Sequence, residues 1–592
     1  MPLPLHSFHI PVMGTGFSID TPLRVARYGI SSVISLVDDV LIEQVRKFHC
    51  QKNGQPYTPI ENGPDARARR ITAYLNYIDR TVKQQVASLQ NEPFGQGGAI
   101  DRYFEWLPPC SLKTEFEQMR ATRDPSIKSA LQARLRGQIV AGSADVNIMT
   151  KLDADQYANG EKLPSEYALA MSALRGFAQS DLGSAIVFSA GINQRLYTYT
   201  AQFDDFFPDL QGRFKKKIIL KVSDYRSALI QGKFLAKRGL WVSEFRIESG
   251  LNCGGHAFGA DCSLMGPVLE EFKQNRESLQ SSLHEIYIHA LSEMGRPAAP
   301  VPSRIRITAQ GGIGTAGEDR FLLRYYQLDG TGWGTPFMLV PEVTNVDRAS
   351  LDKLCHAKRD DVYLSNSSPL GVRFWNLRTS ASEEMRRKRI ERDKPGSPCP
   401  KGLCLLNKEF KGKPMCVASR VYTKKRLDQL SKEELTDTQA KILRERVLEK
   451  SCLCHDLAGA VSLNHQTDPT ATPAICCGPN IRNFNRTFSL EEMIDHIYGR
   501  LSIIFNHERP HMFIEEMRLN LDYLKEEITL FTQRVSNRQH SFFETFKKKL
   551  LNGIDYYRAL TQQFIEDQRE RFLDDLKNLQ DEIECVCLPK AR

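Results

Sequence analysis

Eight short apolar runs, each followed by a helical pattern, fill roughly the first 340 residues, and this alternation constrains the fold more than any other feature. The runs are Phe8–Met13, Ser32–Val37, Ala144–Met149, Ser184–Ser189, Lys217–Val222, Trp241–Ile247, Arg304–Ala309 and the turn-rich stretch 328–337. Short runs rich in β-branched and aromatic residues, separated by amphipathic stretches of helix length, read as parallel strands joined by crossover helices. Local signals agree with this. Asp20-Thr21-Pro22 places a capping residue and a proline in the first turn of a helix, and a second helix is expected from Asp38 to about Phe48. Eight such units predict an α/β fold, a (β/α)8 TIM barrel, since an open doubly wound sheet has no need of eight. In such a barrel the chemistry lies in the loops that follow the strands.

A chain of 592 residues exceeds what one ordinary core can organise, so further regions are expected. Residues 1–345 are assigned to the barrel, with a polar insertion at about 51–109 that holds a helix near Ala66–Gln90. A helix around Thr114–Arg136 leads into the third strand. Residues 346–485, rich in Cys, Pro, Lys and Asn, read as an irregular Cys-rich region, and 486–592 as a helical C-terminal region. Its helices show apolar stripes such as Leu490, Met493, Ile494 and Ile497, and the last, Phe564–Val586, reads as an amphipathic pairing helix. These helices are the expected contact for a protein partner or a second copy.

Composition excludes several function classes. The 80 basic residues against 71 acidic ones are a mild excess on so long a chain, and nucleic acid is not an expected partner. The run Arg386–Lys394 has no interleaved aromatics and follows Glu383-Glu384, so it reads as a solvated helix face. No uncharged apolar stretch is long enough to cross a membrane. No G-x-S-x-G elbow supports serine hydrolysis. The N-terminal residues lack a secretory pattern, so the 14 cysteines are expected as reduced thiols and the cytoplasm as the location.

Three strand ends carry the candidate chemistry. The sixth leads into Glu248–Gly259, where Gly254 and Gly255 suit a sharp turn or a flat ligand, and His256 can exchange a proton near neutral pH. The seventh ends in Gly311-Gly312-Ile313-Gly314-Thr315 and the eighth in Gly332-Trp333-Gly334-Thr335. Backbone amides there, one set opening a helix, suit a phosphate cradle. The bland alternative is a pair of ordinary glycine turns and an incidental histidine.

Taken in order, these pieces resemble the nitronate monooxygenase group of FMN-dependent barrels, which includes related flavin enoyl reductases. The matching residues are Pro11-Val12-Met13-Gly14, Thr21–Ala26, Val146-Asn147, Gly254-Gly255-His256, Ala309–Ile313 and Gly334–Phe337, over roughly residues 8–340. The resemblance implies FMN, with Gly311, Gly312, Gly334 and Thr335 at its phosphate. It places Gly14, Asn147 and Lys221 against the ring system, beside Gly254 and Gly255, with His256 as the acid or base on the substrate side. Asn252 and Cys253 stand where the family has an acidic residue and alanine. That departure bears on the substrate more than on the cofactor. The implied activity is a monooxygenase-like oxidation of a small carbanion-forming substrate. The alternatives are enoyl reduction and a non-catalytic barrel that serves as a scaffold.

Cys399, Cys404, Cys416, Cys452 and Cys454, with Cys476 and Cys477, fall within about 80 residues. Two readings stay open, a zinc or iron–sulfur site and buried reduced thiols, because the spacing matches no defined cluster motif.

Overall fold

The computed structural model describes residues 5–253, 262–297, 304–563 and 566–590. Eight parallel strands close into a barrel: β1 Phe8–Ile10, β2 Ser31–Ser35, β3 Ala144–Ile148, β4 Ala185–Phe188, β5 Lys217–Val222, β6 Val242–Glu248, β7 Arg306–Gln310 and β8 Gly330–Gly332. Each strand pairs with its neighbours in sequence, and β8 closes on β1 with Phe8 opposite Thr331. The expected TIM barrel is the observed fold.

Side chains alternate across each strand, so every second residue enters the lumen. On β6 this sends Glu244, Arg246 and Glu248 inward, while Phe245 and Ile247 are buried in the outer layer under the helices. Val12, Val33, Ala185, Val187 and Ile219 form a small apolar cluster of their own, separate from that outer core. The lumen therefore has an aliphatic side, made by β2, β4 and part of β5, and a charged side, made by β6 and β7. A register shift between Ile218 and Ile219 sets Lys221 opposite Arg246 across the β5–β6 pair.

The insertion adds a helical layer outside the barrel. Helix Ala66–Asn91 packs on helix Leu169–Ala178 so closely that a Cβ on Gly176 would lie 2.7 Å from the Ala68 carbonyl oxygen. Arg67 and Arg70 grip the Asp39 carboxylate at 2.7 and 2.8 Å, and Arg67 also donates to the carbonyls of Leu36 and Val37 just beyond β2. The single helix expected at 114–136 is two, Ser111–Ala121 and Pro125–Gly137. Pro125 has no amide hydrogen to continue the first helix, and Asp124 caps the second by accepting from the amides of Ser126 and Ile127.

Residues 346–485 are less irregular than expected. They hold the hairpin β9 Val362–Ser365 with β10 Phe374–Leu377, and the helices Ala381–Glu391, Arg420–Leu430 and Asp437–Leu448. The serine or threonine before each of these helices, Ser380, Ser419 and Thr436, accepts from an amide of its first turn. Such helices are set by their caps and bury few residues, so apolar periodicity does not reveal them.

The tail helices Met512–Thr532 and His540–Leu560 pack on helix Met265–Glu293, the helix that follows β6, while Leu490–Ile497 packs on helix Ala316–Tyr325 and Glu566–Glu584 packs on the first two. Gly266 and Gly553 allow the close approach, since a Cβ on Gly266 would meet the Tyr557 ring at 2.5 Å and one on Gly553 would meet Leu264 at 2.4 Å. One continuous apolar core links Phe8 in the barrel to Ile583 in the last helix. Among the described residues, no helix is long and apolar enough to cross a membrane.

Candidate functional site

The last inward-facing residues of β3, β5, β6 and β7 are Asn147, Lys221, Glu248 and Gln310, all buried. Glu248 organises them. Its Oε1 accepts from Lys221 Nζ at 2.7 Å, from Gln310 Nε2 at 2.6 Å and from Asn252 Nδ2 at 2.8 Å. Gln310 Oε1 lies 3.3 Å from His9 Nε2, so that nitrogen carries the proton. Burial, with Arg246 second, holds the His9 imidazole well below its usual range, so it is neutral. Asn147 differs from its neighbours in that its buried Oδ1 accepts no hydrogen bond among the described residues. A buried acceptor left without a donor costs about 1–3 kcal/mol, which makes it a group awaiting a donor from outside the chain.

Above this layer lie the glycine loops. Gly14, Gly311 and Gly312 have φ of +56°, +109° and +84°, values that L side chains rarely adopt. Among the described residues, the amides of Gly311, Gly312, Gly334 and Thr335 have no acceptor. The helix-opening amides that were also expected in the cradle are different. Gly314 and Thr315 donate to the Glu318 carboxylate at 2.9 and 3.2 Å, in a capping box that begins the helix Ala316–Tyr325. Burial pushes the Glu318 carboxyl up, but Arg509, at 2.7 Å, and His511 outweigh it and hold it below the usual range. The chain's own carboxylate fills that part of the cradle.

A roof covers the rest. The segment 476–480 crosses the rim, and a Cβ on Gly478 would lie 2.7 Å from Thr335 Oγ1 and 2.8 Å from the Leu251 carbonyl oxygen. Cys253 Sγ donates to the Cys476 carbonyl at 3.0 Å, and its Cβ packs on Gly334. On the far side, Leu457 and Ala458 press on Gly14 and Gly16. The space beside Gly312, between Leu251, Asn480 and Arg509, is about 10 Å³. That is no more than one water requires.

Gly254, Gly255 and His256 lie outside the described residues. Gly14, Asn147, Lys221, Gly311, Gly312, Gly334 and Thr335 all belong to the carboxyl end of the barrel and its rim. The thiols of 399–454 form a separate cluster and do not join this site. Sequence reading missed Glu248 as the partner of Lys221, although Glu244, Arg246 and Glu248 at period two in a buried strand mark a charged lumen. No local signal marks Arg509 or Gly478 as parts of the rim.

A cavity of about 420 Å³ lies at the opposite, amino end, between Asp145, Lys217, Glu244, Arg246 and Arg306. A cavity of that size would suit a small molecule. The charges argue otherwise, because Glu244 accepts from Arg246 at 2.7 Å, Thr308 at 2.6 Å and Arg306 at 3.0 Å. The Glu244 carboxylate is satisfied there, while Arg306 Nε, Ser184 Oγ and Trp241 Nε1 of the same lining have no partner among the described residues.

The donor set at the carboxyl end fits a flavin phosphate and ring: four amides without acceptors for the one, and Asn147 with Lys221 for the other. The space beside Gly312 is too small for a phosphate in the arrangement seen. No family model matches the chain, and no curated protein matches it. Similar solved structures include the enoyl reductase domain of MlnA from the macrolactin biosynthesis cluster of Bacillus amyloliquefaciens, at 14% identity and TM-score 0.41 over 88% of this chain and 96% of that one. A FabK mutant from Thermotoga maritima matches at 11% identity and TM-score 0.30, over 67% of this chain and 82% of that one. The nitroalkane oxidase of Streptomyces ansochromogenes matches at 9% identity and TM-score 0.35, over 84% and 95%. Likeness at this level carries no argument about chemistry, so the site is argued from its own residues.

Proposed function

We propose that this chain is a flavin-dependent oxidoreductase, with FMN as cofactor and a small carbanion-forming substrate of the nitronate kind. The observation that carries this reading is the orphaned Asn147 carbonyl beside the Lys221–Glu248 pair, in the last layer of the lumen beneath glycine amides that lack acceptors. When bound, the flavin would supply the electron transfer. Gly311, Gly312, Gly334 and Thr335 would hold its phosphate, and Asn147 and Lys221 would orient its ring. Glu248 holds Lys221 Nζ in place. His256, assigned from sequence, would take or give one proton at an imidazole nitrogen, and the 476–480 roof would exclude water. Enoyl reduction needs the same parts and differs in its hydride donor.

A second reading, a barrel without catalysis that serves as a scaffold, draws on the 10 Å³ space beneath the roof. The absorption spectrum of the purified full chain, before and after incubation with FMN, separates the two. A flavin band that survives gel filtration supports the oxidoreductase, and a colourless protein that refuses FMN overturns it. With flavin in place, His256→Ala is expected to keep the band while turnover of propionate 3-nitronate or of an enoyl thioester with NAD(P)H falls about 10²–10⁴-fold. Loss of the flavin together with turnover would make His256 structural.

A further inference from the structure

We infer that Cys399, Cys404, Cys416 and Cys454 form a four-thiolate metal centre, for a thiophilic ion such as zinc or iron, beside the carboxyl rim of the barrel. All 14 cysteines are free thiols in this fold, and these four come from three chain segments to one place. They arrive as two pairs. The sulfurs of Cys404 and Cys454 are 3.2 Å apart, and those of Cys399 and Cys416 are hydrogen-bonded to each other. A zinc–sulfur distance of about 2.3 Å in a tetrahedron puts ligand sulfurs about 3.8 Å apart, so the Cys404–Cys454 pair has only to open slightly to share one ion. Cys454 interacts electrostatically with Cys399 and Cys416, so the pairs face each other. Among the described residues, no three of these sulfurs lie within 4.8 Å of one another. Closing the tetrahedron therefore requires the pairs to draw together by side-chain rotation.

Two further observations separate this cluster from a chance group of buried thiols. The amide of Gly402 donates to the Cys399 sulfur, and the amide of Ala418 to the Cys416 sulfur. Cys399 and Gly402 both have left-handed backbones, with φ of +58° and +65°, which curl the turn around the sulfur. Backbone amides converging on a sulfur stabilise an anion, as the concave turns of thiolate–metal sites do. A neutral thiol gains little from them. The second observation is the poverty of the segment itself. Between helices Ala381–Glu391 and Arg420–Leu430 it has only the isolated bridges Asn407–Met415 and Ser397–Ser419. A loop with so little core of its own needs a covalent or metal staple to hold one shape.

Cys452 is left outside the set, because its thiol is hydrogen-bonded to the Ser397 side chain. Cys476 and Cys477 belong to the roof, near Cys253. The centre's apolar wall is made by Val37, Leu152, Ala154 and Leu169, which follow β2 and β3, so an ion there would fasten the Cys-rich region to the barrel.

The test is the metal content of the full-length protein, purified without chelator or metal-affinity resin, together with its visible spectrum. One zinc per chain in a colourless protein, or one iron with thiolate absorption, supports the centre and identifies the ion. On the wild-type protein, titration with a mercurial should release the metal as four thiols react, a readout that needs no variant to fold. Cys404→Ser and Cys454→Ser should each lower metal content at least tenfold, while Cys585→Ser, at an exposed position, should retain it. Absence of stoichiometric metal, or a disulfide between Cys404 and Cys454 in the intact mass and peptide map, overturns the proposal. Neither outcome bears on flavin binding.

Discussion

The two ends of the barrel lumen are built on the same strands and differ in how their polar groups are satisfied. At the amino end, Glu244 binds two guanidinium groups and a hydroxyl, and the cavity around them is open to about 420 Å³. At the carboxyl end, Lys221 has one carboxylate, Asn147 Oδ1 has no donor among the described residues, and a roof closes the rim. The contrast shows that cavity size and chemical readiness are separate properties. A carboxylate with all its partners, such as Glu244, is a structural device. The orphaned Asn147 acceptor lies under a lid at the strand ends, whereas the orphans of the amino end, Arg306 Nε, Ser184 Oγ and Trp241 Nε1, are donors or a hydroxyl.

The comparison breaks most readily at Glu244. Glu244→Ala leaves Arg246 and Arg306 without their shared carboxylate, and Arg246 is fully enclosed. Removing one partner of a buried pair costs about 3–5 kcal/mol, so a large fall in the denaturant midpoint is expected. Glu248→Ala strands one ammonium instead of two guanidinium groups and should cost less. Equal losses would mean that the two ends are not built differently.

Acid titration sharpens the same contrast within the amino end. Burial pushes the Glu244 carboxyl up, but Arg246 and Arg306 outweigh it and bring it down to about 2, below its usual 4.5. Its folded value is depressed, so its contribution is complete above about pH 4.5 and is lost as pH falls through about 2. Asp145 behaves in the opposite sense. Burial raises it, and bonds from the Ser143 hydroxyl and the Ala185 amide only partly compensate. Its folded value lies above the unfolded one, so stability is full below the unfolded value and is lost as pH rises through the folded one. Asp145→Asn should remove that loss and leave the acid limb set by Glu244, as read from unfolding free energy against pH. An unchanged profile would show that Asp145 is hydrated.

The smallest effect is expected at Asn147. Asn147→Leu replaces the orphaned amide with an apolar group of similar size, and a gain of about 1 kcal/mol is expected. If the site binds flavin, the same variant should retain it less well, so stability and binding move in opposite directions. A loss of stability without any change in flavin retention would place Asn147 outside the site.

Much of the barrel was legible because its signals are local. Each strand is a short apolar run, and Asp38 caps a helix whose start lies within three residues of it. The glycines at 311 and 312 were readable because backbone conformation acts on the residue itself. The break at Pro125 was equally local and was passed over, since an apolar stripe continued across it. The rim could not be read in this way. Arg509 reaches Gly312 and Glu318 from nearly 200 positions away, and no propensity couples residues so distant.

The sequence by itself determined eight strands in order and, through their alternation, which side chains enter the lumen, because both follow from a period of two under burial. Only the tertiary structure decided which end is open, what fills the glycine loops and which thiols meet. Those outcomes depend on the return of residues 399–512 to the barrel, where long-range packing rather than local preference places Glu318 among amides, Gly478 on Thr335 and Cys404 on Cys454.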